Sequence, residues 1–483
     1  MGKAFYVTTP IYYPNDVPHI GHAYTTLAAD VLARWHRLRG KEVFFLTGSD
    51  DHGKKIADAA KKAGKSPQEF TDALVLEFKK AWEILGIDYS RFIRTTEEDH
   101  TRVVQDIIKK VYAKGDIYKG MYEGLYCTGC EAYYTEKDAV DGKCPIHQKK
   151  LEYVKEESYF FKLSKYQQQL LDLYKKNPEF ISPEKRRQEI INRVQEGLKD
   201  FSISRKSFDW GVAFPLEEGH VTYVWFDALI NYLSGVGFLE DKKKFKKFWP
   251  ADVHLVGKDI LWFHSVYWPA MLLSAGIALP EKVFAHGWWT FNQEKISKSR
   301  GKVISVPELA GIAGVDAARY FLFRECPFGD DGDFSAKMLI ERYHTELANK
   351  LGNLVSRVAA LGEKYGFAAC KNTLLSSLDA EKISQAVENL AFDKALHLIF
   401  AFIDRCNTFV QEKKPWVDGN KEVLYQLADS IKAVALLLWP FLPSTGEKIA
   451  QQFGFKILWG EFSEPFKGKI TKGEILFKKV ESG

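Results

Sequence analysis

The run Ala4-Phe5-Tyr6-Val7, ending at Thr8-Thr9-Pro10, and, one helix later, the run Val43-Phe44-Phe45-Leu46 decide the fold. Each is a short, uninterrupted apolar stretch, the pattern of a strand buried on both faces. Between them Ala23, Leu27, Val31, Leu32, Trp35 and Leu38 recur at helical spacing, and Gly40 closes the run. Strand, helix, strand with continuous apolar strands is a βαβ unit, which requires a parallel pair and a right-handed crossover. A second unit follows late in the chain: Val253-His254-Leu255-Val256, a helix over about Ile260 to Ser274, and Val283-Phe284-Ala285-His286. The stretch between them, with a cysteine cluster, does not keep the βα rhythm and reads as an insertion into one doubly wound parallel sheet. Ligands of such sheets bind beyond the carboxyl ends of the strands, at the switch point between the halves. Thr8 to His22, Gly48 to His52, Gly257 to His264 and His286 to Thr290 are therefore expected to meet at one cleft.

From about Ile340 the pattern becomes helical. Leu347, Leu351, Leu354, Val355 and Val358 mark one helix, Leu396, Ile399, Phe400 and Ile403 a second, and Val423, Leu424, Leu427, Ile431, Val434 and Ala435 a third, which predicts an α-helical bundle. The tail after Trp459 is ambiguous. The expected divisions are 1–115 and 219–290 for the two halves of the sheet domain, 116–218 for the insertion, 291–345 for a linking region and 346–483 for the bundle.

Composition narrows the class. With 483 residues, 46% apolar and 27% charged, the chain has globular proportions and room for several cores, which excludes a disordered chain or a disulfide miniprotein. The clean apolar run from Ala433 to Pro443 is far short of the ~20 residues that span a bilayer. Met1 to Val7 leads straight into a strand, so an intracellular, cytoplasmic location without membrane partners is expected. The net charge of +5 tolerates an anionic partner without requiring one. Basic clusters at Lys185-Arg186-Arg187 and Lys242-Lys243-Lys244 read equally well as solvated surface.

Three segments carry chemistry. His19-Ile20-Gly21-His22 stands where the first helix begins after a strand, where free N–H groups and the helix dipole attract phosphate. Gly21 leaves room for a flat ring at the backbone, and two imidazoles can donate to a phosphate as charge builds on it. Two surface histidines at a turn are the plainer alternative. Lys295-Ile296-Ser297-Lys298-Ser299 follows the second βαβ unit and would lie across the cleft, suited to clamping a polyphosphate if it is not simply solvated. Cys127-x2-Cys130 and Cys144-x2-His147 have the spacing of a closed tetrahedral zinc site, structural because no position is left for substrate. A redox pair or buried thiols are the alternatives.

The histidine and lysine segments, in this order and separation, resemble the HIGH and KMSKS signatures of class I aminoacyl-tRNA synthetases. Pro10-Ile11-Tyr12-Tyr13-Pro14-Asn15, Leu46 to Gly53, Tyr223-Val224-Trp225-Phe226-Asp227-Ala228 with Tyr232, Gly257-Lys258-Asp259-Ile260 with His264, and His286-Gly287-Trp288 resemble the methionyl-tRNA synthetase family in particular. The resemblance covers nearly the whole chain. It implies a Rossmann-type sheet interrupted by a zinc-containing insertion, and ligation of L-methionine to tRNA(Met), initiator included, through a methionyl-adenylate.

By the same resemblance His19, His22, Lys295 and Lys298 are catalytic. Gly21, Ser297 and Ser299 join them in binding ATP with its Mg²⁺. Asp50 receives the methionine ammonium, and Ile11, Tyr13, Trp225, Tyr232 and His264 wall the thioether; singly, each aromatic is as readily core. Asp227 and Asp259 are weaker candidates for nucleotide or structural roles. Asn353, Arg357 and Trp416 match the anticodon readers; a helix cap, a surface arginine and a packed tryptophan are the alternatives. A single structural zinc on Cys127, Cys130, Cys144 and His147 is implied, in the knuckle near the acceptor end of tRNA. Homocysteine, one methyl smaller than methionine, is expected to be activated at times, because an apolar pocket discriminates one methyl(ene) by only about 1–3 kcal/mol.

Ile296 replaces the usual methionine of the lysine signature, an apolar change of similar volume. An appended dimerisation domain is not found, so a monomer is expected. Other readings are a cysteinyl, leucyl or valyl enzyme, a non-catalytic RNA-binding relative, or a small-molecule nucleotidyltransferase.

Overall fold

A computed structural model describes residues 4–134, 139–145, 148–291, 294–295, 304–471 and 473–480. The central sheet has six parallel strands: β1 Phe5–Tyr12, β2 Val43–Ser49, β3 Arg91–Arg94, β4 Ile181–Ser182, β5 Val253–Gly257 and β6 Val283–His286. Their order is β3-β2-β1-β5-β6-β4, so β1 lies between the two halves. Phe5 to Thr8 of β1 pair in order with Val43 to Leu46 of β2, while Val7 and Thr8 face Val253 and His254 of β5. The switch point is therefore at the carboxyl end of β1, as the two βαβ units require.

β1 runs past Pro10 to Tyr12, beyond the apolar run that announces it. Proline has no N–H for the ladder, and the β1–β2 register shifts between Thr8 and Ile11 where Pro10 sits. The shift turns Ile11 and Tyr13 toward the cleft. Helix α1, Ile20–Leu38, follows; it is buried along most of its length, with the bundle on the side away from the sheet. The helix expected over Ile260–Ser274 is broken into a 3₁₀ turn at Lys258–Ile260, a π turn at Phe263–Tyr267 and an α-helix at Trp268–Ala275. Pro269 at its first turn removes a donor there.

The insertion is built on an antiparallel sheet in the order Ala132–Tyr134, Ile117–Cys127, Glu152–Phe161, Phe201–Ser202. It also contributes β4, which pairs Ile181 and Ser182 with Val283 and Phe284 at the edge of the central sheet.

The bundle is formed by Asn353–Tyr365, Ala380–Glu388, Phe392–Lys413, Lys421–Leu438 and Pro443–Phe453. The tail beyond Trp459 has little regular structure and folds back: Tyr343 donates its hydroxyl to the Lys478 carbonyl, and Phe466 is buried. One apolar core runs from Val7 and Trp35 through Phe321 into Leu396 and Ile431, so sheet domain and bundle share packing. Arg319, fully buried, fastens the seam by donating to Asp30 Oδ2 of α1 at 2.6 Å and to the Pro440 and Phe441 carbonyls. Among the described residues no helix is long and apolar enough to cross a membrane.

Candidate active site

A cavity of about 410 Å³ opens at the carboxyl ends of β1, β5 and β6. Its walls bring together Ile11, Tyr13, His19, Gly21, His22, Asp50, Trp225, Tyr232, Asp259, His264 and His286, which are scattered over 276 residues of sequence. The four segments expected at one cleft all contribute to it.

The start of α1 fixes the two histidines through the backbone. His19 is the extended N-cap, and its Nδ1 accepts the Gly21 N–H at 3.0 Å. The His19 N–H in turn donates to His22 Nδ1 at 3.2 Å. A backbone N–H can only donate, so Nδ1 of each ring is an acceptor and the ring proton of each neutral imidazole sits on Nε2. The rings lie 4.0 Å apart. Burial, reinforced by His19 and Lys55, holds His22 well below the usual histidine range, so it is neutral and donates from Nε2. Gly21 is required by His19 itself, because a Cβ there would meet His19 Cε1 at 2.9 Å.

The same logic fixes the far wall. His264 Nδ1 faces the Ile260 carbonyl at 3.0 Å and therefore carries the proton, which leaves Nε2 to accept the Tyr232 hydroxyl at 2.8 Å. Burial lowers His264 to about 4. The two polar tips satisfy each other, so Tyr232 and His264 present a neutral wall suited to a polarizable apolar side chain. Trp225 stacks on Phe263 at 3.7 Å and stands edge-on to His264. Deeper still, the Trp268 indole donates to His254 Nε2, so His254 Nδ1 donates to Thr8.

Asp50, at the end of β2, is almost fully buried, and its Oδ1 has no hydrogen-bond partner. Burial and then the Asp227, Asp51 and Glu131 carboxylates push its pKa well above the usual range. A cationic ligand is what that oxygen lacks. Asp227 itself is spent on structure, accepting from His52 Nδ1 and His100 Nε2 at 2.7 Å each. Asp259 accepts from the Trp288 indole at the rim. Thr25 of α1 donates to His286 Nε2 at 2.6 Å, because His286 Nδ1 is engaged by the Gly287 carbonyl.

Ser297, Lys298 and Ser299 lie outside the described residues, and Lys295 enters through its backbone pairing with Thr290 on the strand after β6. His147 also lies outside them. Cys127, Cys130 and Cys144 converge, with all three sulfurs within 4.8 Å of one another and no disulfide among them. Three convergent thiols fit one zinc ion. The knuckle touches the cavity: the Trp225 indole donates to the Cys130 carbonyl at 3.3 Å, and the Tyr223 hydroxyl to the Glu131 carbonyl.

In the bundle, Asn353 is exposed and Arg357 half-buried, with the Arg357 guanidinium 5.9 Å from the Trp416 ring centroid. Trp416 is 40% exposed on a short helix launched by Lys414 in the left-handed region and by Pro415. Sequence reasoning missed Lys55 and Asn231 on the cavity wall. Lys55 sits in a Lys-Lys pair at a helix start, and Asn231 between two apolar residues; neither carries a motif.

A family described as tRNA synthetases class I (M) matches residues 5–153 and 146–359, and one described as the anticodon-binding domain of tRNA ligase matches 373–479. The chain is 46% identical to a methionine–tRNA ligase of Caldanaerobacter subterraneus, over all of this chain and 80% of that one. It is 44% identical to the enzyme of the same name from Streptomyces coelicolor, over 99% and 97%. Mycobacterium tuberculosis methionyl-tRNA synthetase in complex with methionyl-adenylate superposes with a TM-score of 0.95 at 38% identity, over 99% of this chain and all of that one.

Proposed function

Because the chain belongs to the methionyl-tRNA synthetase family of class I tRNA ligases, we propose the following division of labour for its residues in charging tRNA with methionine. Asp50 takes the ammonium of methionine, which supplies the cation its buried oxygen lacks. Ile11, Tyr13, Trp225, Tyr232 and His264 enclose the thioether. One carboxylate oxygen then attacks the α-phosphorus of ATP, the bond from phosphorus to the bridging oxygen breaks, and pyrophosphate leaves. Charge builds on the α-phosphate and on pyrophosphate during this step, so fixed donors aimed at those oxygens lower the barrier. His19 and His22, as Nε2–H donors at a helix N-terminus, serve one side. Lys295 and Lys298 serve the other, with Ser297, Ser299 and the Gly21 backbone completing the nucleotide contacts, and Mg²⁺ arrives with ATP. In the second step a hydroxyl of the terminal adenosine of tRNA attacks the methionyl carbonyl and AMP departs.

The observation that carries this reading is the shared cavity: two histidines locked as Nε2–H donors share it with a buried carboxylate, one of whose oxygens has no partner, and a neutral aromatic wall. Cys127, Cys130, Cys144 and His147 are assigned to one zinc, whose chemistry here is to cross-link the knuckle. Asn353, Arg357 and Trp416 are assigned to the anticodon, by hydrogen bonds to base edges and stacking. Residues 1–115 with 219–290 form the catalytic domain, 116–218 the connective insertion, 291–345 the linking region and 346–483 the anticodon-binding domain. A cytoplasmic location follows from tRNA(Met), initiator included, as partner. Pyrophosphate exchange over a panel of amino acids tests the assignment: methionine supports rapid exchange, homocysteine weak exchange, and cysteine, leucine and valine little. Equal exchange with leucine would overturn it.

A further inference from the structure

Methionine enters as a zwitterion, and the cavity accounts for only one of its two charges. Asp50 meets the ammonium. The carboxylate then faces walls whose other fixed charges include Asp16 and Asp259. In a partly desolvated site, an anion among carboxylates needs a cation beside it.

Among the described residues of the wall, Lys55 is the only lysine or arginine. Neighbouring basic groups are committed elsewhere: Lys54 to Glu152 at 2.6 Å, Lys258 to Asp331 at 2.5 Å, and the buried Arg205 to Glu156 at 2.6 Å. Among the described residues the Lys55 ammonium has no such ion pair within contact distance, although the Glu131 and Asp50 carboxylates are near enough to favour its charge. It lies 4.6 Å from the centroid of the Tyr13 ring, on the wall that also carries Asp50 and His22. Its backbone N–H donates to the buried Glu131 carboxylate at 2.6 Å, which fixes the point from which the side chain leaves the helix Lys54–Lys62.

We propose that Lys55 is the group that receives the α-carboxylate of methionine, an inference that rests on the reading of the cavity above. Held there, one carboxylate oxygen pairs with the ammonium while the other is left to face the α-phosphate beside His22. The role is substrate binding, distinct from the phosphate contacts of the histidine and lysine segments.

The test compares L-methionine with L-methioninol, in which a hydroxymethyl group replaces the carboxylate. Both are titrated by tryptophan fluorescence into parent, Lys55→Met and Lys55→Arg proteins, with pyrophosphate exchange measured alongside. Lys55→Met should weaken L-methionine by roughly 10- to 100-fold, the worth of one charge-assisted hydrogen bond, and leave L-methioninol within about twofold. Lys55→Arg should recover much of the L-methionine affinity. Equal losses for both ligands would assign Lys55 to packing on Tyr13 and overturn the proposal, as would parent-like affinity for L-methionine in Lys55→Met. A parent that neither binds L-methionine nor exchanges pyrophosphate with it would overturn the reading beneath the proposal, before any variant is compared.

Discussion

The N–H of Ile20 donates to the carbonyl of Ile304 at 3.0 Å, and His19 forms a backbone bridge with Ser305. The first turn of α1, with its two histidines, is thus tied to the described residues that resume after the lysine segment. On the other flank, Lys295 pairs with Thr290 beyond the end of β6. Ile304 and Ser305 thus meet the histidine turn, although His19 and His22 lie some 280 residues earlier in the chain.

His22 does two jobs that substitution can separate. Its Nδ1 accepts the His19 N–H, and its Nε2–H is assigned to phosphate. The amide of asparagine falls near Nδ1 and that of glutamine near Nε2, so His22→Asn should keep the cap and lose the donor, while His22→Gln keeps a donor. Loss of one donor to developing charge typically costs about 2.7–4 kcal/mol of barrier. Methionine-dependent pyrophosphate exchange should therefore fall by about 10²-fold or more in His22→Asn and by less in His22→Gln, with melting temperatures near the parent's. Equal and small losses would remove His22 from catalysis.

Arg319 predicts a stability effect far from the chemistry. Burial opposes ionisation of Asp30, yet Arg319 and Arg34 hold its carboxyl below the usual range. Arg319→Met removes the donor from three carbonyls and part of a carboxylate at the seam between α1 and the bundle, and breaking such a buried pair costs about 3–5 kcal/mol. Arg319→Lys should rescue little, because an ammonium cannot reach Asp30, Leu85, Pro440 and Phe441 together. Urea denaturation measures this, and a midpoint close to the parent's for Arg319→Met would refute it.

How much of this was legible beforehand follows from period and motif. The two βαβ units gave the parallel sheet and its switch point, because uninterrupted apolar runs of strand length leave few alternatives. The histidine motif and the cysteine pairs carry their chemistry in spacing, whereas the aspartate after β2 is marked only by the family resemblance. Lys55 was illegible because a lysine at a helix start ordinarily solvates; only the turn after Gly53 aims it inward. β4 was illegible because two residues, Ile181 and Ser182, are too short to show a period. The break in the helix over Ile260–Ser274 leaves no mark in the sequence, because π and α turns share nearly the same apolar spacing.

The neutral His264 makes acid a lever. Burial lowers its pKa to about 4 in the folded chain, against about 6.5 when unfolded. Between those values the unfolded chain binds a proton that the native one refuses, so this contribution is intact above pH ~6.5 and is lost as pH falls toward 4, by about 3 kcal/mol in all. The buried Asp50, raised well above its usual range, acts in the opposite sense. The histidine share is isolated by calorimetry on parent and His264→Gln between pH 7 and 4.5: the variant should lose less stability on acidification. Parallel curves would show that His264 does not titrate in this way.

Trp416 separates recognition from chemistry. It lies in the bundle beside Arg357 and lines no part of the cavity. Trp416→Ala should cut aminoacylation of tRNA(Met) by roughly 10-fold or more, since base–aromatic stacking is worth about 1–3 kcal/mol, and leave pyrophosphate exchange near the parent rate. A matched drop in both assays would trace the loss to folding.

Metal removal should reach the methionine pocket through one hydrogen bond. Cys130 is a thiol of the knuckle, and its carbonyl accepts the Trp225 indole N–H. Loss of the zinc proposed for this cluster would free the three convergent thiols and loosen the turn that holds the ring. A chelator should therefore weaken methionine binding and alter tryptophan fluorescence, while the ATP contacts proposed for His19 and His22, which α1 rather than the knuckle anchors, should change little. Trp225→Phe keeps the aromatic wall but has no N–H to give. In that variant the chelator should cost much less additional methionine affinity than in the parent, because the link is already cut. If chelation weakens methionine by the same factor in both proteins, the coupling runs by another route, and the Trp225–Cys130 bond is packing alone.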